Sequence, residues 1–152
     1  MKQKKQKSTD RPMSDYYFAE AIAKRAELYL VNTPDSYDIA YALVDRFSGN
    51  VTAWLEVVCQ KGMAKTDLLF CLKTWMKGLE LSSRTGKPFV IAFRKDDNDY
   101  LLEIHKEEIP LVLVDALCGT DVANNFEGNT PMREKKAYVR IPLRYFHSAH
   151  VY

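Results

Sequence analysis

Two carboxylates set within apolar segments are the residues of this chain best suited to chemistry. They are Asp38, in SYDIAYALVDRF, and Glu56, in VTAWLEVVC. The first segment alternates, with Tyr37, Ile39, Tyr41 and Leu43 on one face and Asp38, Ala40, Ala42 and Val44 on the other. The second is rich in β-branched and apolar residues. Ser48-Gly49-Asn50 between them supplies a tight turn, with Gly49 free to take a positive φ. The pattern predicts a hairpin of two strands, each carrying one carboxylate where burial is expected. A buried carboxylate needs a partner. A divalent cation held by both is one solution; a neighbouring backbone N–H or an arginine is the other.

The elements that must position these residues follow from the same kind of reading. Ser14 predicts an N-cap and Asp15 the first turn of a helix whose inward stripe is Phe18, Ile22, Ala26 and Tyr29. Glu20 falls opposite that stripe, beside Glu27. Pro34 ends the helix region, leaving Asp35 in the loop before the first strand. Thr66 or Asp67 caps a second helix running to about Arg84, with Leu68, Leu72, Trp75, Met76, Leu79 and Ser83 as its core stripe. Thr85-Gly86-Lys87-Pro88 ends it, glycine just past the last turn and proline beyond. Phe89 to Phe93 is a continuous apolar run, expected as a strand buried on both faces. The charged turn RKDDND lacks the spacing of a calcium loop, and Tyr100 to Ile104 returns as a strand. Leu111 to Leu117 reads as strand or short helix, 119–131 as a long polar loop, and Tyr138 to Phe146 as an edge strand marked by Pro142. The expected fold class is α/β: one domain over residues 14–152, with a central mixed β-sheet and flanking helices.

Composition narrows the function classes. At 152 residues the chain is long enough for one domain with a true core. No run is apolar enough to cross a bilayer, and the N-terminus lacks a signal-peptide core. Cys59, Cys71 and Cys118 form no metal-ligand spacing and read as reduced core residues of a cytoplasmic protein. The net charge of +2 is uneven: residues 1–13 form a basic tail, expected to be disordered, with five of the 22 basic side chains and one of the 20 acidic ones, so the body stands at −2. Such a body does not advertise the basic stripe usual for duplex binding, and charge neither supports nor excludes nucleic acid. No G-x-S-x-G, P-loop, H-E-x-x-H or C-x-x-C occurs.

Asp38 on one strand, then Glu56 within W-L-E-V-V-C on the next, resembles the core of the PD-(D/E)xK nuclease superfamily. Behind them come the helix LLFCLKTWMKGLELSSRTGKP, the strand FVIAFRK and a further strand after DDND. That order is similar to the small phage-encoded branch, where E-V-K is followed by K-W, then T-G-K-P-F and a final hairpin. The closing AYVRIPLRYF is also similar to the ends of such proteins. The likeness spans roughly Tyr16 to Phe146 and implies a restriction-endonuclease-like core.

One departure bears on activity. The family lysine stands two residues after the glutamate, where this chain has Val58. Valine can neither orient water nor steady charge on phosphate. Lys61, Lys65 and Lys73 are the candidate substitutes, with Lys73 preferred because the second helix normally packs beside the hairpin. The resemblance implies a metal-dependent DNA endonuclease in which Asp38, Glu56 and the carbonyl of Val57 hold Mg²⁺ or Mn²⁺, with Lys73 or Lys61 orienting water. Asp35 and Glu20 are secondary acidic candidates, and Lys65 and Lys77 candidate contacts to DNA. The expected partner is DNA of undetermined structure, a homodimer would complete the clamp, and the compartment is the cytoplasm, the host's if the source is viral. The alternative keeps the fold without the chemistry: a catalytically lapsed nuclease-fold protein that binds nucleic acid or another protein.

Overall fold

Helix α1 (Met13–Arg25) packs Phe18, Ala19, Ile22 and Ala23 inward, three or four residues apart, as one helical face requires. The computed structural model describes residues 13–60, 67–95, 98–108, 121–122 and 137–148. Beyond α1 come strands β1 (Tyr29–Asn32), β2 (Tyr41–Val44), β3 (Val51–Gln60) and β4 (Asp67–Cys71), then helix α2 (Leu72–Thr85). Strands β5 (Phe89–Lys95), β6 (Asn98–Ile104), β7 (Asp121–Val122), β8 (Ala137–Pro142) and β9 (His147–Ser148) complete the order. Short 3₁₀ turns lie at Asp35–Tyr37, Lys106–Glu108 and Leu143–Tyr145.

A six-stranded mixed sheet, β1-β2-β3-β5-β6-β9, forms the centre, and β4-β8-β7 form a second sheet. All pairings in the central sheet are antiparallel except β3 with β5, which run parallel because the chain crosses over through β4 and α2. Side chains alternate along β3. Ala53, Leu55 and Val57 face α1 and join its apolar residues, whereas Trp54 and Val58 face α2 and pack with Trp75, Leu79, Phe89 and Ile91. Glu56 shares the α2 face by the same alternation. Among the described residues, no helix is long and apolar enough to cross a membrane.

The α/β class and the mixed sheet agree with the sequence reading, and several boundaries do not. The first helix ends at Arg25, and Tyr29, assigned to its stripe, stands 55% exposed on β1. The stop is a left-handed Glu27 (φ 57), with Leu28 N–H donating to Ala23 O and Glu27 N–H to Lys24 O. That closure normally uses glycine, so no residue type announces it. Asp67–Cys71 is a strand paired with β8, and α2 starts only at Leu72. Met76 is accordingly exposed, while Gly78 and Ser82 are buried in the stripe. β8 lies between β4 and β7 and is no edge; Pro142 sits at its last position, opposite Asp67, where an interior ladder bond is not lost. The basic tail through residue 12, the segment 111–117 and most of 119–131 lie outside the described residues.

Candidate functional site

The site grows from a fork in the central sheet. β2 pairs with β3 only as far as Tyr41 opposite Leu55. β3 continues to Gln60, paired with β5 alone among the described strands. Where the next ladder position would be, the Glu56 carboxylate takes over: Oε2 accepts the Ala40 N–H at 2.9 Å. Glu56 is only 6% exposed, so this bond meets part of the cost of burying its carboxylate.

The chain upstream of Ala40 is pinched into a loop. Thr33 N–H donates to Ala40 O at 3.2 Å, and the Thr33 hydroxyl donates to Ile39 O. Asp38 was expected inside a strand; it instead closes the 3₁₀ turn in the left-handed region, at φ 55, its N–H donating to Asp35 O. Pro34 and the turn it opens delay the strand to Tyr41. A left-handed aspartate is tolerated better than most residues, at a cost of order 1 kcal/mol. The conformation puts its carboxylate beside α2: Lys73 Nζ lies 3.5 Å from Asp38 Oδ1. Lys73 is the second residue of α2, and its side chain is 73% exposed, so the ammonium is held loosely.

A hollow of about 520 Å³ opens here, lined by Asp38, Asp35, Tyr16, Asn32, Tyr41 and Thr74 among others. Asp35 is exposed on its rim. Tyr16, Asn32 and Thr74 were not singled out as site residues by sequence. They come from three separate elements, and only the fold brings them together.

Glu20 and Lys77 stand away from this hollow. Glu20 is half-buried on α1 and does not line the hollow. The Val57 side chain is buried against α1, whereas the atom proposed as a ligand is its backbone carbonyl, on β3 next to Glu56. Val58, where the resemblance drawn from the sequence expects a lysine, packs on the apolar cluster beneath α2. Lys77 borders a different hollow and pairs with Glu80 at 3.5 Å. Lys61 and Lys65 lie outside the described residues.

A second polar cluster lies on the α1 face. Arg94 grips Asp99 through two bonds, 2.7 and 3.1 Å, and its guanidinium lies 4.4 Å from the centre of the Phe18 ring. Burial, reinforced by a hydrogen bond to Asp15, pushes the nearby Cys59 thiol up to about 12. A thiol so disfavoured as thiolate is no nucleophile at neutral pH.

Among the described residues no three His, Cys, Asp or Glu side chains are grouped to hold a metal ion. Two carboxylates flank the fork: Asp38 on the hollow, and buried Glu56, which is not among the hollow's lining residues. Such a sparse, all-oxygen set suits Mg²⁺, which keeps several waters and binds through one or two carboxylates. The chain matches no protein-family model and no curated protein.

Proposed function

We propose that this chain is a metal-dependent phosphodiesterase acting on DNA, with Lys73 serving in place of the lysine absent at position 58. The observation that carries the reading is the Lys73–Asp38 contact beside the fork where Glu56 bonds Ala40. The order helix, three central-sheet strands, a crossover through β4 and α2, then a parallel strand adds to the resemblance drawn from the sequence.

Asp38 and Glu56 are the residues that would hold Mg²⁺ or Mn²⁺. A cation bound there supplies an activated water and offsets charge on the phosphate. The protein's own part is positional. The left-handed turn at Asp38 and the Ala40 bond to Glu56 present carboxylates from β3 and from the loop before β2. Lys73, tethered to Asp38 yet exposed, orients water or steadies a phosphate oxygen as the P–O bond breaks.

The test is cleavage of supercoiled, single-stranded and branched DNA with Mg²⁺ or Mn²⁺ and with EDTA. Cutting that needs metal and is lost in both Asp38→Asn and Glu56→Gln is the expected result. Val58 favours a second reading, in which the site has lapsed and the fold binds nucleic acid or protein without cutting. Wild type inert in every arm, with Val58→Lys active, would establish that one instead.

A further inference from the structure

The loop at 34–40 borders two hollows, and α2 runs beside both. One is the hollow of Asp38, Tyr16 and Thr74. The other, of about 490 Å³, is lined by Tyr37, Trp54, Lys77, Glu80 and Arg84 among others. Lys73, Lys77 and Arg84 stand four and seven residues apart, which sets all three on one face of α2 over about 16 Å. A half-exposed tyrosine stands in each hollow, Tyr16 at 42% and Tyr37 at 39%. Tyr37 is buttressed edge-to-face by Trp54 at 6.0 Å, and Trp54 Nε1 donates to Thr85 Oγ1 at 3.0 Å. The ring is therefore positioned before any ligand arrives.

Resting on the phosphodiesterase reading, we propose that the substrate strand is unpaired DNA, its backbone lying along the Lys73–Lys77–Arg84 face and its bases stacking on Tyr37 and Tyr16. Aromatic rings interleaved with cations are how sequence-tolerant single-strand sites are built, because every unpaired base offers a π-face. A base inside a duplex is already stacked on both sides and has none to offer. The charge of the chain agrees with this choice. Its body carries no excess of positive charge to neutralise two phosphate backbones, whereas the α2 face offers a short local row. Glu80 lies within that row and pairs with Lys77 at 3.5 Å and Arg84 at 3.4 Å. These exposed pairs exchange readily for a phosphate, and Glu80 then acts as a brake on affinity.

The test is fluorescence anisotropy of the full chain in EDTA, comparing a labelled oligo-dT with a duplex of equal length. The basic segment at residues 1–11 is present in every arm, so differences report the folded body. Oligo-dT should bind tighter than duplex. Tyr37→Ala should weaken it about tenfold, Tyr37→Phe should leave it unchanged, and Glu80→Gln should tighten it. Lys77→Ala should lower the salt slope by about 0.7. Tyr37→Leu, which keeps apolar packing on Trp54, should weaken binding as Ala does, separating stacking from any loosening of the fold. Equal or tighter duplex binding, no binding of oligo-dT, or indifference to both Tyr37→Ala and Tyr37→Leu would overturn the proposal. Metal-dependent cutting of duplex with that indifference leaves the phosphodiesterase reading standing and this one fallen. Strand binding without cutting does the reverse.

Discussion

Lys73 Nζ lies 3.5 Å from Asp38 Oδ1, joining the first turn of α2 to a left-handed residue at the end of a 3₁₀ turn. The two are 35 positions apart in the chain, and neither stands on the strand that carries Glu56. At 73% exposure the lysine gains little stability from the contact. The contact sets an ammonium from a helix beside Asp38, and in the proposed reading it stands in for the lysine that the resemblance expects on the strand. Removing Lys73 should therefore leave the melting temperature almost unchanged. A thermal melt of Lys73→Ala shifted by less than about 2 °C is the expected outcome.

Gly78 reverses the usual rule for a helix interior. Replacing glycine by alanine there ordinarily stabilises by about 1 kcal/mol. Here a Cβ would meet three ring carbons of Phe89 at 2.3 to 2.5 Å, and Phe89 is fully buried. Overpacking of that kind costs about 1–3 kcal/mol. Gly78→Ala should lower the denaturant midpoint, as read by equilibrium unfolding.

How much of this was legible in the sequence depends on which signal each element used. The β2–β3 turn was readable because Gly49 takes the positive φ its type allows, at 71°. β5 was readable as an unbroken apolar run, and it is buried from Phe89 to Phe93. β4 was not, because Leu68, Leu72 and Trp75 keep helical spacing straight across the strand–helix junction at Cys71. β1 was hidden by a helix stop that uses Glu27 in place of glycine. Asp45, beside the β2–β3 turn, has a role that its residue type does not announce. Its carboxylate accepts the N–H groups of Phe47 and Ser48, which hold it below the usual carboxylate range. At the site, both carboxylates and the preference for Lys73 came from pattern and resemblance. Tyr16, Asn32 and Thr74 gave no local signal, since their meeting depends on tertiary packing alone.

Arg94 and Asp99 make a two-pronged ion pair with a buried carboxylate, Asp99 being 4% exposed, and a guanidinium that is 38% exposed. Replacing Arg94 with methionine keeps volume over Phe18 but strands the carboxylate. Stranding one partner of a fully buried pair costs about 3 kcal/mol, and with this guanidinium partly in water the loss should be smaller. Urea unfolding of Arg94→Met should show that loss, and Arg94→Met with Asp99→Leu should recover most of it.

Cys59 makes a pH prediction with a definite sign. Its folded value is raised to about 12 from 9.0, so the folded state favours the protonated thiol. The contribution is fully present below pH 9 and is lost as pH rises from there toward 12. Stability should therefore decline over that alkaline window, and Cys59→Ala should flatten this part of the decline. In native protein at pH 8, Cys59 should also react with a thiol reagent far more slowly than it does after unfolding, as peptide mapping after timed labelling would record.

The most direct measurement is the rate of metal-dependent DNA cleavage by Lys73→Ala beside the double variant Val58→Lys with Lys73→Ala. If a lysine from α2 serves where the strand has none, the single variant should lose about a hundredfold or more, and the double variant should recover activity. Undiminished cleavage by Lys73→Ala would contradict that role outright.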